Sequence, residues 1–224
     1  MPSSRTTIIS ALAAAALTCT TNAAFGPAFS TGPVADGSWI RESTSTLVLP
    51  KVPNNNKGDA SLWVGMGTSN GDLIQSIAEN YNADNWSIYA YTLLSTSPTT
   101  QMPVQAPGDT AVEGDHITMH YTFDDATGNY TQIVSVNGQQ VSTLSTSDGH
   151  ALGWGSAVEC AEENCGTVPA HSWVDTKIVL NSADPNYSQT LGKAAGVTGE
   201  MSTSDGGVTW TVSTIEIPEF TFGS

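Results

Sequence analysis

"HITMHYTFDDATGNYTQIVSVNGQQVSTLST", residues 116–146, is the stretch on which the fold turns. Side chains alternate between two faces along an extended chain. Ile117, Met119, Tyr121 and Phe123 fall on one face, and His116, Thr118, His120 and Thr122 on the other. "DDATGN" turns the chain and "YTQIVSV" brings it back. Asn137-Gly138 then supplies a two-residue hairpin turn, because both positions tolerate positive φ. "VSTLST" completes three antiparallel strands with one apolar face.

The same period runs outward in both directions. "STLVLP" (45–50) is a strand ended by Pro50, and "KVPNNNKGDA" (51–60) is a loop by composition. "SLWVGMG" and "DLIQSIA" are strands joined by the turn "TSNG" (68–71), and "WSIYAYTLL" (86–94) follows, rich in aromatic and β-branched residues. "TSPTTQMPVQAPGD" (96–109) carries three prolines and reads as a surface connection. "SWVDTKIVL" (172–180) and "VTWTVSTIEI" (208–217) are the late strands. Short runs separated by turn residues, with no sustained 3.6-residue period, predict an all-β antiparallel sandwich in one domain, residues 46–224. Residues 25–45, rich in Gly, Pro, Ser and Thr, read as an extended lead-in.

Residues 1–24 read as a secretory signal. Arg5 gives a positive start, "IISALAAAALT" is an apolar run too short to span a bilayer, and "TNA" before Ala24 offers small residues for cleavage. The expected product is secreted and monomeric, with no membrane span. Six Lys and Arg stand against 21 Asp and Glu, a formal charge of −15. That balance argues against nucleic acid or an anionic membrane as a partner and suits an acidic medium.

Cys19 leaves with the signal, so Cys160 and Cys165 remain as a pair in an oxidising compartment. A short-loop disulfide is the natural reading. Zinc is the rival, but no second Cys or His pair lies at ligand spacing, and no metal or organic cofactor is expected. Sequons at Asn85, Asn129 and Asn186 are candidate glycosylation sites.

Candidate chemistry is sparse. His116 and His120 share a strand face but stand ~13 Å apart by strand rise, so they cannot share one metal. His150 and His171 are isolated, and no G-x-S-x-G elbow or phosphate loop is present. Two features remain. Gln75 lies between Leu73 and Ile77 on one strand face, where a buried amide costs free energy unless partners are supplied. In "SAVECAEENC", Gly155, Ala157 and Glu159 share a face, which leaves room for a ligand beside the carboxylate. The ordinary reading of such an acid is a solvated surface group.

These residues carry a resemblance. "LWVGMG" followed by "LIQ" resembles the "AWVGIDG…ILQTG" stretch of the secreted fungal glutamic peptidases (eqolisins), with Gln75 at the position of the catalytic glutamine. Pro50 stands where the family has Val-Pro upstream. "VEGDHITMHYTF" is similar to "SEGDSIQMSVTAT", and "ATGNYTQIVSVNGQQVSTL" to "TSGSATLENLTTGQKVSKS". "SAVECAEENCGTVPAHSW" resembles "FIIEDFEEC…CEFVPFASF" and puts Glu159 on the catalytic glutamate. The likeness covers residues 46–215. Gly67 replaces the Asp of "WVGID", Tyr91 takes the place of the Glu in "WYEWYP", and "GSWIREST" around Trp39 is a remnant at best of the N-terminal "NWGGA" strand.

The resemblance implies a concanavalin A-like jelly roll of the lectin and glucanase type. It also implies an acid-acting endopeptidase on unfolded protein or peptide, with Glu159 as general base and Gln75 as oxyanion donor. From another class comes a non-catalytic carbohydrate- or peptide-binding sandwich, in which Trp63, Trp86, Tyr89 and Tyr91 are candidate ligand contacts, with core packing the rival reading for at least half of them. A glycoside hydrolase ranks third, because it needs two carboxyls facing each other and only Glu159 is placed by the comparison.

Overall fold

The computed structural model describes residues 23–162 and 164–223. The expected signal segment therefore lies outside the described residues, apart from Ala23 and Ala24. The regular elements of the described chain are antiparallel strands, apart from one short 3-10 helix at Tyr187–Thr190. In order these are β1 (Ala24–Ser30), β2 (Ile40–Val48), β3 (Asp59–Thr68), β4 (Leu73–Tyr81), β5 (Trp86–Ser97), β6 (Thr100–Gln105), β7 (Asp109–Ala111) and β8 (His116–Asp124). Then follow β9 (Asn129–Val136), β10 (Gln139–Thr146), β11 (Ala151–Cys160), β12 (Thr167–Val168), β13 (His171–Leu180), β14 (Gly192–Lys193), β15 (Thr209–Ile217) and β16 (Phe220–Thr221).

Two layers account for the architecture. One runs β14-β1-β11-β3-β4-β5-β6, and the other runs β15-β13-β2-β8-β9-β10. They meet in the ladder at a single pair, Ala151 with Ile40. The strands β8, β9 and β10 are those read from residues 116–146. Asn137 and Gly138 both have positive φ, as the two-residue turn requires.

Alternate residues of each layer face the other and form the main core. From β3 and β4 these are Leu62, Val64, Met66, Ile74 and Ala78, and from β8 they are Ile117, Met119 and Tyr121. Tyr121 and Gln132 pair several of the buried polar groups in this interior, whereas Trp154 Nε1 and Ser156 Oγ are enclosed without a partner. The Tyr121 hydroxyl accepts from the Ser76 backbone N–H at 2.8 Å and donates to the Val64 carbonyl at 2.7 Å. Gln132 accepts from Ser76 Oγ and donates to the Tyr91 carbonyl and Thr92 Oγ1.

Two parts of the sequence reading need correction. The residues read as a lead-in, 25–45, contain β1 and the first part of β2. Gly26 and Pro27 hid β1. Its pairing to β11 shifts register between Phe25 and Ala28, so the proline sits in a bulge that needs no ladder donor. The proline-rich connection likewise contains β6, an outermost strand in which Pro103 pairs with Leu93. An edge strand tolerates proline where an interior one does not.

Candidate active site

The faces of β11, β3, β4 and β5 turned away from the core form a cleft of about 250 Å³. Register fixes what lines it. One cross-strand row is Gly155–Gly65–Gln75–Tyr91, the next Ala157–Trp63–Ile77–Tyr89, and the next Glu159–Ser61–Glu79. Gln75 and Glu159 therefore share one face of one sheet and line the same cleft. They stand two strands apart and four residues apart along the ladder, a backbone separation of about 16 Å by strand geometry. No hydrogen bond joins their side chains, and the row carrying Trp63 runs between them.

Gln75 is only 4 % exposed, and its Oε1 is enclosed without a hydrogen-bond partner. Its neighbours in the row explain how the amide fits. A Cβ on Gly65 would come within 2.6 Å of the Ile74 carbonyl and 3.0 Å of the Gln75 Cβ. Glycine at 65 thus leaves the strip beside Gln75 bare, and Gly155 extends it. Gly67, where the family has an acid, borders the same face with open space around it.

Glu159 is held by Trp63, whose indole N–H donates to Oε2 at 2.8 Å. Burial pushes the Glu159 carboxyl above the ordinary carboxylate range, and the Trp63 hydrogen bond partly opposes this. β1 closes one side of the site. Phe25 pairs with Glu159, and Phe25 and Ala28 pack against the apolar cleft residues Trp63, Leu73, Ile77 and Tyr89. The Cys160–Cys165 disulfide follows Glu159 directly and pins the loop after β11.

The aromatic candidates divide by parity. Trp86 is 0 % exposed, belongs to the interlayer core and donates its indole N–H to the Pro50 carbonyl, so it is not a ligand contact. Tyr89 and Tyr91, of opposite parity on the same strand, line the cleft with ring centroids 6.1 Å apart. Trp63, 3 % exposed, has no open ring face for stacking and serves Glu159 instead. Trp39 lies outside the cleft, stacked on His150 at 4.3 Å and edge-on to Phe123, so it is no part of the strand beside Glu159. His120 faces Glu42, which Lys177 also binds. The sequons lie at strand or turn boundaries, with Asn186 exposed and Asn85 and Asn129 half-buried.

Two acids were missed. Asp59 and Glu79 line the cleft beside Glu159. Burial first, then the charges of Glu79, Glu162 and Glu159 and contact with Glu79, raise the Asp59 carboxyl to about 7. The signal was present as parity, since Glu79 lies four residues beyond Gln75 and Asp59 four before Trp63.

Among solved structures, the chain matches a scytalido-glutamic peptidase carrying a transition-state analogue inhibitor. The TM-score is 0.54 at 16 % identity, over 87 % of this chain and 99 % of that one. The fold is that of the scytalido-glutamic peptidase. A second structure of that peptidase, with a peptide-based transition-state analogue, gives 0.53 at 15 % identity over the same shares. SCP-B, of the eqolisin family, in complex with the tripeptide Ala-Ile-His, matches with a TM-score of 0.48 at 15 % identity over 87 % and 99 %. No protein-family model and no curated protein matches the chain. The architecture implied by the motif resemblance is thus the one the chain adopts.

Proposed function

We propose that the protein is a secreted, acid-acting glutamic endopeptidase. One observation carries the reading: an enclosed glutamine with an unsatisfied carbonyl oxygen and an enclosed glutamate line one cleft of a glutamic-peptidase fold. Buried unsatisfied groups are rare in folded proteins, and each asks for a reason. Here the reason would be a donor brought by substrate or water, since Oε1 accepts, while the amide N–H is the group that would meet an oxyanion.

In this reading Glu159, ionised, takes a proton from a water molecule as the water oxygen attacks the scissile carbonyl carbon. The Gln75 amide N–H donates to the carbonyl oxygen as it becomes an oxyanion. Protonated Glu159 then gives its proton to the amide nitrogen, the C–N bond breaks, and acid and amine leave. A water and a carbonyl group between base and amide span roughly 7 Å of hydrogen-bond and covalent length. The Gln75–Glu159 side-chain separation in the working enzyme would have to be of this order. Trp63 holds the base in place between turnovers. The disulfide is compatible with an exported protein.

The test is cleavage of an unfolded protein at acid pH, with new termini read by mass spectrometry. Glu159→Gln is expected to abolish cleavage and keep the fold, because an amide cannot act as a base. Gln75→Ala is expected to raise the barrier by about 3 kcal/mol, as loss of one oxyanion donor does. Absence of cleavage by the unaltered protein from acid to neutral pH ends this reading.

One observation favours a second reading. Glu159 and Glu79 both neighbour Ser61, which puts their backbones about 10 Å apart across two strand spacings. Facing carboxyls at such spacings serve glycoside hydrolysis. Glu79, however, is engaged with Asp59 and Tyr89. Release of reducing sugar from a polysaccharide array, lost in Glu79→Gln, would favour it.

A further inference from the structure

Gln75 is backed, on the core side of its sheet, by side chains of the other layer. Next to the row Gly65–Gln75–Tyr91 lies the core-facing row Val64–Ser76–Ala90. The Tyr121 hydroxyl of β8 bridges Val64 and Ser76, which are paired across β3 and β4. It accepts from the Ser76 N–H and donates to the Val64 carbonyl. Ser142 of β10 does the same on β5. Its Oγ accepts from the Ala90 N–H at 3.0 Å and donates to the Pro107 carbonyl at 2.6 Å.

Gln132 of β9 holds the Gln75 row itself. Its Oε1 accepts from Ser76 Oγ at 3.1 Å and from the Tyr91 N–H at 3.4 Å. Its Nε2 donates to the Tyr91 carbonyl at 2.9 Å and to Thr92 Oγ1 at 2.8 Å. Because Tyr91 offers it both a donor and an acceptor, the carboxamide fits in one orientation only. Tyr121, Gln132, Ser76 and Thr92 are all fully buried, so these bonds are made away from bulk water. Ser76 is the chain neighbour of Gln75, and Tyr91 is its partner across β4 and β5. Val64 is the chain neighbour of Gly65, its partner across β3 and β4. Each strand beside the amide is thus tied to the other layer, while the amide's own Oε1 makes no bond.

We propose that Tyr121 and Gln132 are positioning residues for Gln75. A donor to an oxyanion works only if its direction is fixed before reaction, to within about 0.5 Å. A glutamine side chain has several rotatable bonds, and here its Oε1 has no partner to hold it. Its direction must come from the backbone it stands on and the residues beside it. Tyr121 sets the spacing of β3 and β4 next to Gly65, where the strip is too tight for a Cβ. Gln132 holds the backbone of Tyr91, which flanks the amide on the β5 side. The effect on turnover rests on the peptidase reading, whereas the hold on Gln75 does not.

Tyr130 supplies a matched control. It too is fully buried, and its hydroxyl accepts from the Ala151 N–H at 3.0 Å and donates to the Ile40 carbonyl at 2.5 Å. Neither partner lines the cleft. Tyr121→Phe and Tyr130→Phe therefore remove the same kind of bridge, one beside Gln75 and one where the two layers meet. In the whole protein, the side-chain ¹H–¹⁵N amide resonances of Gln75 are expected to shift or broaden in Tyr121→Phe and to stay in place in Tyr130→Phe. Should Tyr121→Phe fail to fold, Gln132→Glu at acid pH decides. Its protonated carboxyl keeps the acceptor and only one of the two donor bonds, so the same resonances are expected to move. Unmoved Gln75 resonances in either folded variant overturn the proposal. So does an equal movement in Tyr130→Phe, which would mean general loosening. With a cleaved peptide in hand, kcat is expected to fall roughly ten-fold in Tyr121→Phe, with KM within about two-fold. In Tyr130→Phe both are expected to hold well below the melting temperature, and an equal fall there counts against positioning. If no peptide is cleaved at any pH, the peptidase reading falls and the Gln75 resonances still decide the hold.

Discussion

Glu159 is set by two opposing influences that can be separated by one substitution. Burial disfavours its charge, and the indole N–H of Trp63 favours it. Removing the indole donor leaves burial unopposed. In Trp63→Phe the ionisation of Glu159 is expected to move to higher pH. Because the base must be ionised to work, the acid limb of the pH–rate profile moves up with it. The profile of kcat/KM against pH checks this, and a downward or absent shift would mean that Trp63 does not tune the base. That Gln75 and Glu159 share one cleft face was legible in the sequence, because motif and strand parity agreed on it. Trp63 was legible as a cleft residue but not as a hydrogen-bond donor to Glu159, since that contact lies across strands 96 residues apart. Trp86 falls to the core-packing alternative, because an aromatic run advertises a binding face equally for either parity. Asp59 and Glu79 were overlooked because no motif contains them, although the period-two count from Gln75 and Trp63 reaches both.

At the scale of the element, hairpins were readable and isolated strands were not. β8, β9 and β10 announce themselves by alternation and by Asn137-Gly138, whose conformational needs are local. β1 has no local signature. It exists because β11 offers it an edge, and its bulge removes the penalty of Pro27. The disulfide loop joins these two strands to the site. Bridging Cys160 and Cys165 closes a very short loop, so the chain-entropy gain is small, about 2 kcal/mol. In Cys160→Ser/Cys165→Ser the melting temperature is expected to fall by roughly 4–8 °C for a domain of this size. The loss of cleavage rate is expected to exceed what that destabilisation explains, because Ala161 and Glu162 bind Asp59 from within this loop. Rate measured well below the melting temperature separates the two effects. Equal rates there would make the disulfide purely a stability element.

The whole molecule is two antiparallel layers bound by apolar side chains and a few fully paired polar groups, chief among them Tyr121 and Gln132. Its charge of −15 falls as carboxylates protonate, which relieves self-repulsion in acid. Individual groups pull in opposite directions. Asp59 is raised from its ordinary value of 3.8 to about 7, so its contribution to stability is full below about 3.8 and is lost as pH rises to about 7. His171 does the reverse. It is 7 % exposed, its ring Nδ1 bonds the Pro169 carbonyl, and its Nε2 is enclosed without a partner. Burial lowers it from 6.5 to about 4, so the folded protein keeps it neutral where the unfolded chain would protonate it. Its contribution is therefore full above about 6.5 and is lost as pH falls to about 4. At about 1.4 kcal/mol per pH unit, the loss across that window is about 3 kcal/mol. His171→Asn keeps a donor for Pro169 and takes up no proton. Between neutral pH and pH 4 the unaltered protein is expected to lose about 3 kcal/mol relative to this variant, measured by denaturant unfolding at each pH. Parallel losses in the two proteins would show that His171 does not limit stability in acid. A larger loss in the unaltered protein would identify His171→Asn as a change that extends its working range downward.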